Sequence, residues 1–321
     1  MPEIAIVRAG TRASRLALWQ TEHVIARLAQ AWPHLAFERV RIRTLGDRVI
    51  NVPLPRIGDR GLFTRELEDA LRSGAIDFAV HSLKDLPTEQ PEGLALGAVL
   101  SREDPAEVLV SQNGGTLSDL PPGARLGTSS LRRRAQIMAV RPDLDIVDIR
   151  GNVPTRIEKV RRGEYDATLL ALAGLRRLEL TNAASEVLGS DVIVPAPGQG
   201  ALAVQVRADD ERIRRMVAAI DDLPTRLATA AERRVLNALE GGCQAPIGAL
   251  ATWTAPGRLH LVGLVAGIDG RRLLRATGER SVVNEPEARA LGKSVAAALA
   301  AQGARGLIDA ARQLAGAGDP P

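Results

Sequence analysis

Short apolar runs alternate along the chain with segments whose apolar residues recur every three or four positions, and this alternation predicts an α/β architecture. IAIV (4–7) reads as a first strand, and Leu16, Trp19, His23 and Ala26 mark the helix that follows. FERVRIRT (37–44) returns as a strand. Thr64 caps a short helix through Leu67 and Leu71, with Gly74 just past its end. AIDFAVHS (75–82) is then a strand whose end delivers Lys84 and Asp85 into a loop closed by Pro87. In open α/β sheets ligands gather at the carboxyl ends of strands, so that loop is well placed for chemistry.

A second unit begins after SREDPAE (101–107), with a strand at VLVS (108–111) and a turn at PPGA (121–124). GTSSLRRRAQIMAV (127–140) reads as a capped helix, while IVDIRG (146–151) and ATLLALAG (167–174) give strand and strand-to-helix signals. VIVPAPGQGALAVQVR (192–207) has a strand pattern broken by two prolines and two glycines, as expected where a chain crosses back to its first sheet. The composition breaks again at DDLPTR (221–226), and Leu227, Ala231, Val235 and Leu239 then form a helical stripe ending at Gly241–Gly242. Strand-like runs at 248–254, 258–267 and 271–277 and two Ala-rich helices complete a small α+β unit.

Composition narrows the function classes. Of 321 residues, 45% are hydrophobic and 25% charged, values of an ordinary globular protein. No apolar run approaches the roughly 18–20 residues that span a bilayer, and MPEIAIVRAG does not read as a secretory signal. The single cysteine excludes an internal disulfide framework and fits a reducing compartment, so a cytoplasmic protein is expected. Net charge is only +4, yet 39 of the 42 basic residues are arginine, the lysines being Lys84, Lys159 and Lys293. Nine arginines and one lysine lie between Arg125 and Arg162 against four acidic residues, a local excess of 10 − 4 = +6 that attracts anions. With seven aromatic residues in the chain, stacking platforms for single-stranded nucleic acid are scarce. Small polycarboxylates or phosphates are the better ligands for such a patch.

Four places could carry chemistry. Cys243, in LEGGCQAPIG, is either a small buried hydrophobe or an accessible thiol, nucleophile or covalent anchor, beside two glycines that let the backbone turn. Asp85, in HSLKDLP, is either a turn residue before Pro87 or a carboxylate that stabilises a cation on a substrate ring and relays protons. His81 reads as a packed histidine. GTSSLRRR (127–134) sets hydroxyls and arginines at a helix start, where free N–H groups and guanidinium forks favour carboxylates. RGNVPTR (150–156) adds Arg150 and Arg156 near a second helix start. PGQG (197–200) is too short for a dinucleotide fingerprint, and no metal site is expected.

Taken together, TRASRLALWQ (11–20), GLFTRELEDAL (61–71), DFAVHSLKDLPT (77–88), GTSSLRRRAQ (127–136), RGNVPTR (150–156), LALAGLRRL (170–178), PGQGA (197–201) and LEGGCQAPIGA (239–249) resemble the hydroxymethylbilane synthase (porphobilinogen deaminase) family almost end to end. The resemblance implies three domains: 1–100 with 200–218, 105–195, and 222–321. The first two are periplasmic-binding-protein-like α/β domains flanking a cleft, and the third is a small α+β domain with a cofactor-carrying loop. It implies a transferase of porphyrin biosynthesis that condenses four porphobilinogen molecules, with loss of ammonia, into linear hydroxymethylbilane; a monomer is expected, though not from the resemblance. The primer is a dipyrromethane held by a thioether to Cys243. Asp85 falls on the catalytic carboxylate. Ser14, Lys84, Thr128, Ser129, Arg132, Arg133 and Arg150 fall on cofactor positions, and Arg12, Arg156, Arg177 and Gln199 on substrate positions.

The residue types suit that chemistry. Each porphobilinogen carries acetate and propionate groups, so a growing chain is a polyanion that needs arginines. One buried carboxylate, Asp85, would stabilise positive charge on the pyrrole nitrogen. The sequence departs from the family at PRIGDRG (55–61), where Arg56 and Arg60 stand for lysines and Asp59 for a common glycine, and at Arg15, often proline. Three rivals remain: a non-catalytic two-lobed anion-binding protein, a nucleic-acid-binding regulator using residues 125–162, and an inactive homologue.

Overall fold

The computed structural model describes residues 6–44, 64–242 and 245–316. These fall into two compact units. One contains the described residues before Ile50, those of Arg60–Glu103, and Gly200–Arg226; the other contains Asp104–Gln199 and the chain from Leu227 onward.

The first unit is built on a five-stranded sheet in the order β2-β1-β3-β10-β4. Its strands are β1 (Ile6–Thr11), β2 (Ala36–Arg41), β3 (Phe78–Ser82), β4 (Leu94–Val99) and β10 (Leu202–Arg207). β1 pairs in parallel with β2 and β3, whereas β10 runs antiparallel between β3 and β4. Helices Arg15–Ala31 and Glu211–Ala218 bury Val24, Leu28, Ile213 and Met216 against Val7, Phe78 and Val204. Helix Arg65–Arg72 lays Leu67 and Leu71 on Ile76 and Ala79 instead. Both faces are covered, so the central strands β3 and β10 are buried along nearly their whole length, whereas the edge strand β2 is not.

The second unit opens with a sheet on the same plan, ordered β7-β6-β8-β5-β9. Its strands are β5 (Glu107–Ser111), β6 (Arg125–Gly127), β7 (Asp145–Val147), β8 (Ala167–Ala171) and β9 (Glu186–Leu188). β6 is parallel to β7 and β8, and β5 is antiparallel to β8 and β9. Period-two geometry splits β5 between two cores. Leu109 joins Leu126, Ile137 and Leu169 on one face, while Val108 and Val110 join Ile157, Leu170 and Leu175 on the other.

A three-stranded antiparallel sheet of β11 (Ile247–Ala255), β12 (Arg258–Ala266) and β13 (Leu273–Ser281) completes the second unit. Helices Leu223–Ala238 and Glu285–Ala301 cover it with Val235, Leu291, Val295 and Leu299, joined by Leu239 just past the first helix. It docks on its neighbour through a small core of Ala135, Val194, Leu264 and Ala266. Glu232, fully buried, accepts hydrogen bonds from Gly198 N and Ala251 N and so ties the crossing segment to β11. The fold is α/β, with two five-stranded mixed sheets and a small C-terminal sheet with helices. Among the described residues no helix is long and apolar enough to cross a membrane.

Several boundaries differ from the sequence expectation for physical reasons. The 75–82 run pairs only from Phe78, because Asp77 turns its carboxylate back to Arg8, accepting from Arg8 N at 2.7 Å. The broken 192–207 run is strand only from Leu202. β4 gives no strand signal because Gly97 interrupts its apolar run; a Cβ there would sit 2.6 Å from Val217. Helix Glu211–Ala218 follows a run of charges that hides its Ile213, Met216, Val217 stripe.

Candidate functional site

In the first unit, the carboxyl end of β3 passes into a 3-10 turn, Leu83–Asp85. Leu83 and Leu86 are buried against Val99, Ala201 and Ala203, and Leu83 N donates to Ala201 O at 3.0 Å. With those two side chains pointing inward, the residues between them point out: Lys84 is half-buried and Asp85 is exposed. This corrects the expectation of a buried carboxylate. Three residues past the end of β3, at the close of the 3-10 turn, Asp85 stands clear of the apolar core.

His81, just before that turn, is buried, and its pKa is lowered to about 4 by burial. The neighbouring Gln205 side chain opposes the shift, and the positive charge of Arg12 adds to it. The imidazole is therefore neutral near pH 7, and Arg12 lies close enough to act on it. Ser14 caps helix Arg15–Ala31, its Oγ accepting from Ala17 N at 3.2 Å. Arg12, Ser14, Lys84 and Asp85 thus all sit at the carboxyl ends of β1 and β3.

The second unit concentrates cations at the corresponding strand ends. After β6 the chain runs through Thr128, Ser129 and Ser130, and Ser130 caps helix Leu131–Val140 by accepting from Arg133 N. Ser129 Oγ donates to Ile149 O at 3.0 Å, and Thr128 N donates to Val147 O at 2.8 Å. These bonds tie the turn to the segment that carries Arg150. There Asn152 caps helix Val153–Arg161, accepting from Thr155 N at 3.0 Å, with Pro154 in the first turn. Gly151 has φ 120°, and a Cβ there would meet Thr155 at 2.7 Å, so only glycine fits between the two arginines' turns. Arg156 follows one turn into the helix, its Nε donating to Gly151 O at 2.8 Å.

The first turn of Leu131–Val140 holds Arg132 and Arg133 and no acid, although the positive end of a helix repels cations. A carboxylate missing from the sequence reading offsets this. Glu107, fully buried at the head of β5, accepts from Arg132 at 2.5 Å through one oxygen and from Arg133 at 2.6 Å through the other. Arg132 also donates to Val194 O at 2.8 Å, and Arg133 to Leu169 O at 2.8 Å. One carboxylate against two guanidiniums leaves a net positive charge in the interior. Arg133 Nε is buried with no hydrogen-bond partner among the described residues. The pKa of Arg156 is lowered to about 10 by burial and by the like charges of Arg133 and Arg150. Arg150 is lowered by burial too, with Asp148 opposing the shift.

Arg133, Arg150 and Arg156 are close enough for their charges to act on one another, and Arg133 Nε has no partner among the described residues. An incoming carboxylate would satisfy the Arg133 N–H and relieve the mutual repulsion, so the residues fit a polycarboxylate group. The remaining expected site residues are placed differently. Arg177 is buried in the last turn of helix Leu172–Arg177. Gln199, fully buried, donates its amide to Pro105 O at 2.7 Å, joining the two crossing segments.

Cys243 lies outside the described residues, as do Arg56, Asp59 and Arg60. The approach to the cysteine is described: Glu240 takes the left-handed conformation (φ 55°), and Gly241 N donates to Leu236 O at 2.9 Å. A Cβ on Gly241 would fall 2.4 Å from Ile247, so this glycine serves close packing under the turn. Glu107 went unread because sequence cannot say that a lone acid heading an apolar strand is buried; its signal was the run of arginines lacking nearby acids.

Comparison with known proteins agrees with this geometry. Residues 7–215 match the family described as porphobilinogen deaminase, dipyromethane cofactor binding domain, and residues 226–301 match porphobilinogen deaminase, C-terminal domain. The chain is 50% identical to the porphobilinogen deaminase of Moorella thermoacetica over 97% of its own length and 98% of that protein's. It is 51% identical to the one from Desulforudis audaxviator (96% and 98%) and 49% identical to the one from Pelotomaculum thermopropionicum (97% and 97%).

Proposed function

The chain belongs to the porphobilinogen deaminase family, and we propose that it condenses porphobilinogen into hydroxymethylbilane for tetrapyrrole biosynthesis, on a dipyrromethane attached to Cys243. The observation that carries this reading is the cluster of Arg133, Arg150 and Arg156, where a buried N–H lacks a partner and Arg156 is held at about 10. Such a cluster suits acetate and propionate groups. The match to a dipyromethane cofactor binding domain over residues 7–215 supports the choice of primer.

Within this reading the dipyrromethane, when bound, supplies the free pyrrole carbon to which the incoming ring is joined. Arg133, Arg150 and Arg156, with Thr128 and Ser129 beside them, hold its acid groups, and Arg132 stiffens the cluster from below. Arg12 and Arg177 serve the substrate side, with Ser14 and Lys84 completing the set, while Gln199, fully buried on Pro105 O, acts in support of the backbone there. Asp85 presents its carboxylate to the pyrrole N–H of the reacting ring, stabilises the cation there and moves the proton lost from carbon. Its exposure in the free chain suits this task, because the group must meet a ring that arrives from solvent. The three-domain division expected from sequence fits this division of labour. A cytoplasmic location is supported by the lone cysteine, which fits a reducing compartment, and size-exclusion chromatography tests whether the protein is a monomer.

Intact mass tests the assignment directly. The purified protein should carry an adduct of two linked pyrrole units, absent from Cys243→Ser, and should consume porphobilinogen with appearance of bilane. A bare mass with no condensation overturns the proposal and returns the non-catalytic anion binder as the better reading.

A further inference from the structure

Glu107 and Leu202 occupy the same place in two sheets of one plan. Each opens the antiparallel strand inserted beside the third parallel strand, Leu202 opposite Ser82 at the end of β3 and Glu107 opposite Ala171 at the end of β8. Both are buried. In the first sheet the position takes an apolar side chain, so the fold does not demand a carboxylate there. In the second, both oxygens of Glu107 are spent on the guanidiniums of Arg132 and Arg133.

The consequence for Arg133 is geometric. A guanidinium is planar, and two of its nitrogens are anchored, one to Glu107 and one to Leu169 O. With two corners fixed the plane cannot rotate, and the third nitrogen, the unpartnered Nε, has a single direction left to it. Without the carboxylate, adjacent arginines in a helical turn repel and splay apart.

We propose that Glu107 is a positioning residue for acid-group recognition: it locks Arg132 and Arg133 side by side and aims the free Arg133 N–H at the cofactor's carboxylate. This rests on the reading of residues 128–156 as the acid-group site. Glu107 touches neither cofactor nor substrate; it acts through the two arginines.

The test uses full-length Glu107→Gln and Glu107→Asp, with Arg156→Gln in parallel. Three quantities are read: the fraction of protein carrying the covalent adduct by intact mass, KM separately from kcat, and the thermal midpoint. Glu107→Gln should load incompletely and, in its loaded fraction, raise KM about tenfold with kcat within about twofold, since charge-assisted bonds are roughly twice as strong as neutral ones. Glu107→Asp should regain most of both. A purely structural glutamate would lower the midpoint without separating KM from kcat, and that result, like full loading with parental KM, overturns the proposal. If Glu107→Gln does not fold, Glu107→Gln combined with Arg132→Met keeps the cluster's net charge. Loading below that of Arg132→Met alone supports positioning, and equal loading overturns it. A defect in Arg156→Gln without one in Glu107→Gln removes only this proposal. Parental behaviour of Arg156→Gln removes the acid-group site itself.

Discussion

The two five-stranded sheets share one plan and do opposite things with charge. Each has three parallel strands and an antiparallel strand inserted before its last partner, and in each a serine caps the helix that follows the first parallel strand, Ser14 in one and Ser130 in the other. Around the first sheet the buried His81 is kept neutral, the buried Asp77 is paired with the partly exposed Arg8, and the acid proposed for catalysis stands exposed. Around the second, two arginines and a glutamate are buried together. The common scaffold fixes where side chains emerge, at the carboxyl ends of the parallel strands. Which chemistry emerges there is left to single residues, as the Leu202 and Glu107 pair shows. The comparison teaches that topology locates a site without specifying its charge.

The largest effect should come from breaking the first region's one proposed reactive group. Asp85→Asn should retain the adduct yet lose on the order of 10²–10³ in turnover, the usual cost of removing a preorganised electrostatic partner. Near-normal turnover of porphobilinogen by the loaded variant would take Asp85 out of the mechanism.

A smaller effect separates the two buried interiors by pH. The His81 pKa is about 4 in the folded chain against 6.5 for a free histidine, so the unfolded chain binds the extra proton. Stability from this group is complete above about pH 6.5 and is lost as pH falls toward 4, amounting to about 2 kcal/mol between pH 7 and pH 5. The arginine cluster, with Arg156 at about 10, keeps its charge through that window. Urea midpoints at the two pH values should therefore differ by less in His81→Gln than in the parent. An unchanged difference would place the pH dependence elsewhere.

The smallest effect compares the matched caps. Ser14→Ala and Ser130→Ala should each lower stability by about 1 kcal/mol in thermal unfolding. The two losses should be similar, because each serine accepts a single cap bond from a backbone N–H of its helix's first turn. A much larger loss at Ser130 would mean that the buried arginines lean on that cap.

Much of this was legible in the sequence, because the signals were local. Continuous apolar runs around 108–111 and 167–171 mark strands buried on both faces, and the caps at 127–130 and 152 announce helix starts by short-range hydrogen bonding. The arginines of GTSSLRRR and RGNVPTR pointed by type and number to the anion site proposed above. Asp85 was identified in position but misjudged in burial, because its exposure depends on Leu83 and Leu86 anchoring the turn on residues from the far end of the sheet, Ala201 and Ala203.

What the chain alone determined was therefore the alternation of elements, the family and the residue types available for chemistry. Only the tertiary structure decided that Glu107 meets Arg132 and Arg133, since 25 and 26 residues separate them and only the pairing of β5 with β8 brings them together. It also decided which guanidinium keeps a free N–H and which arginine is destabilised by its neighbours. Local propensity is read from a few adjacent residues, whereas desolvation and charge coupling depend on what else the fold packs around them.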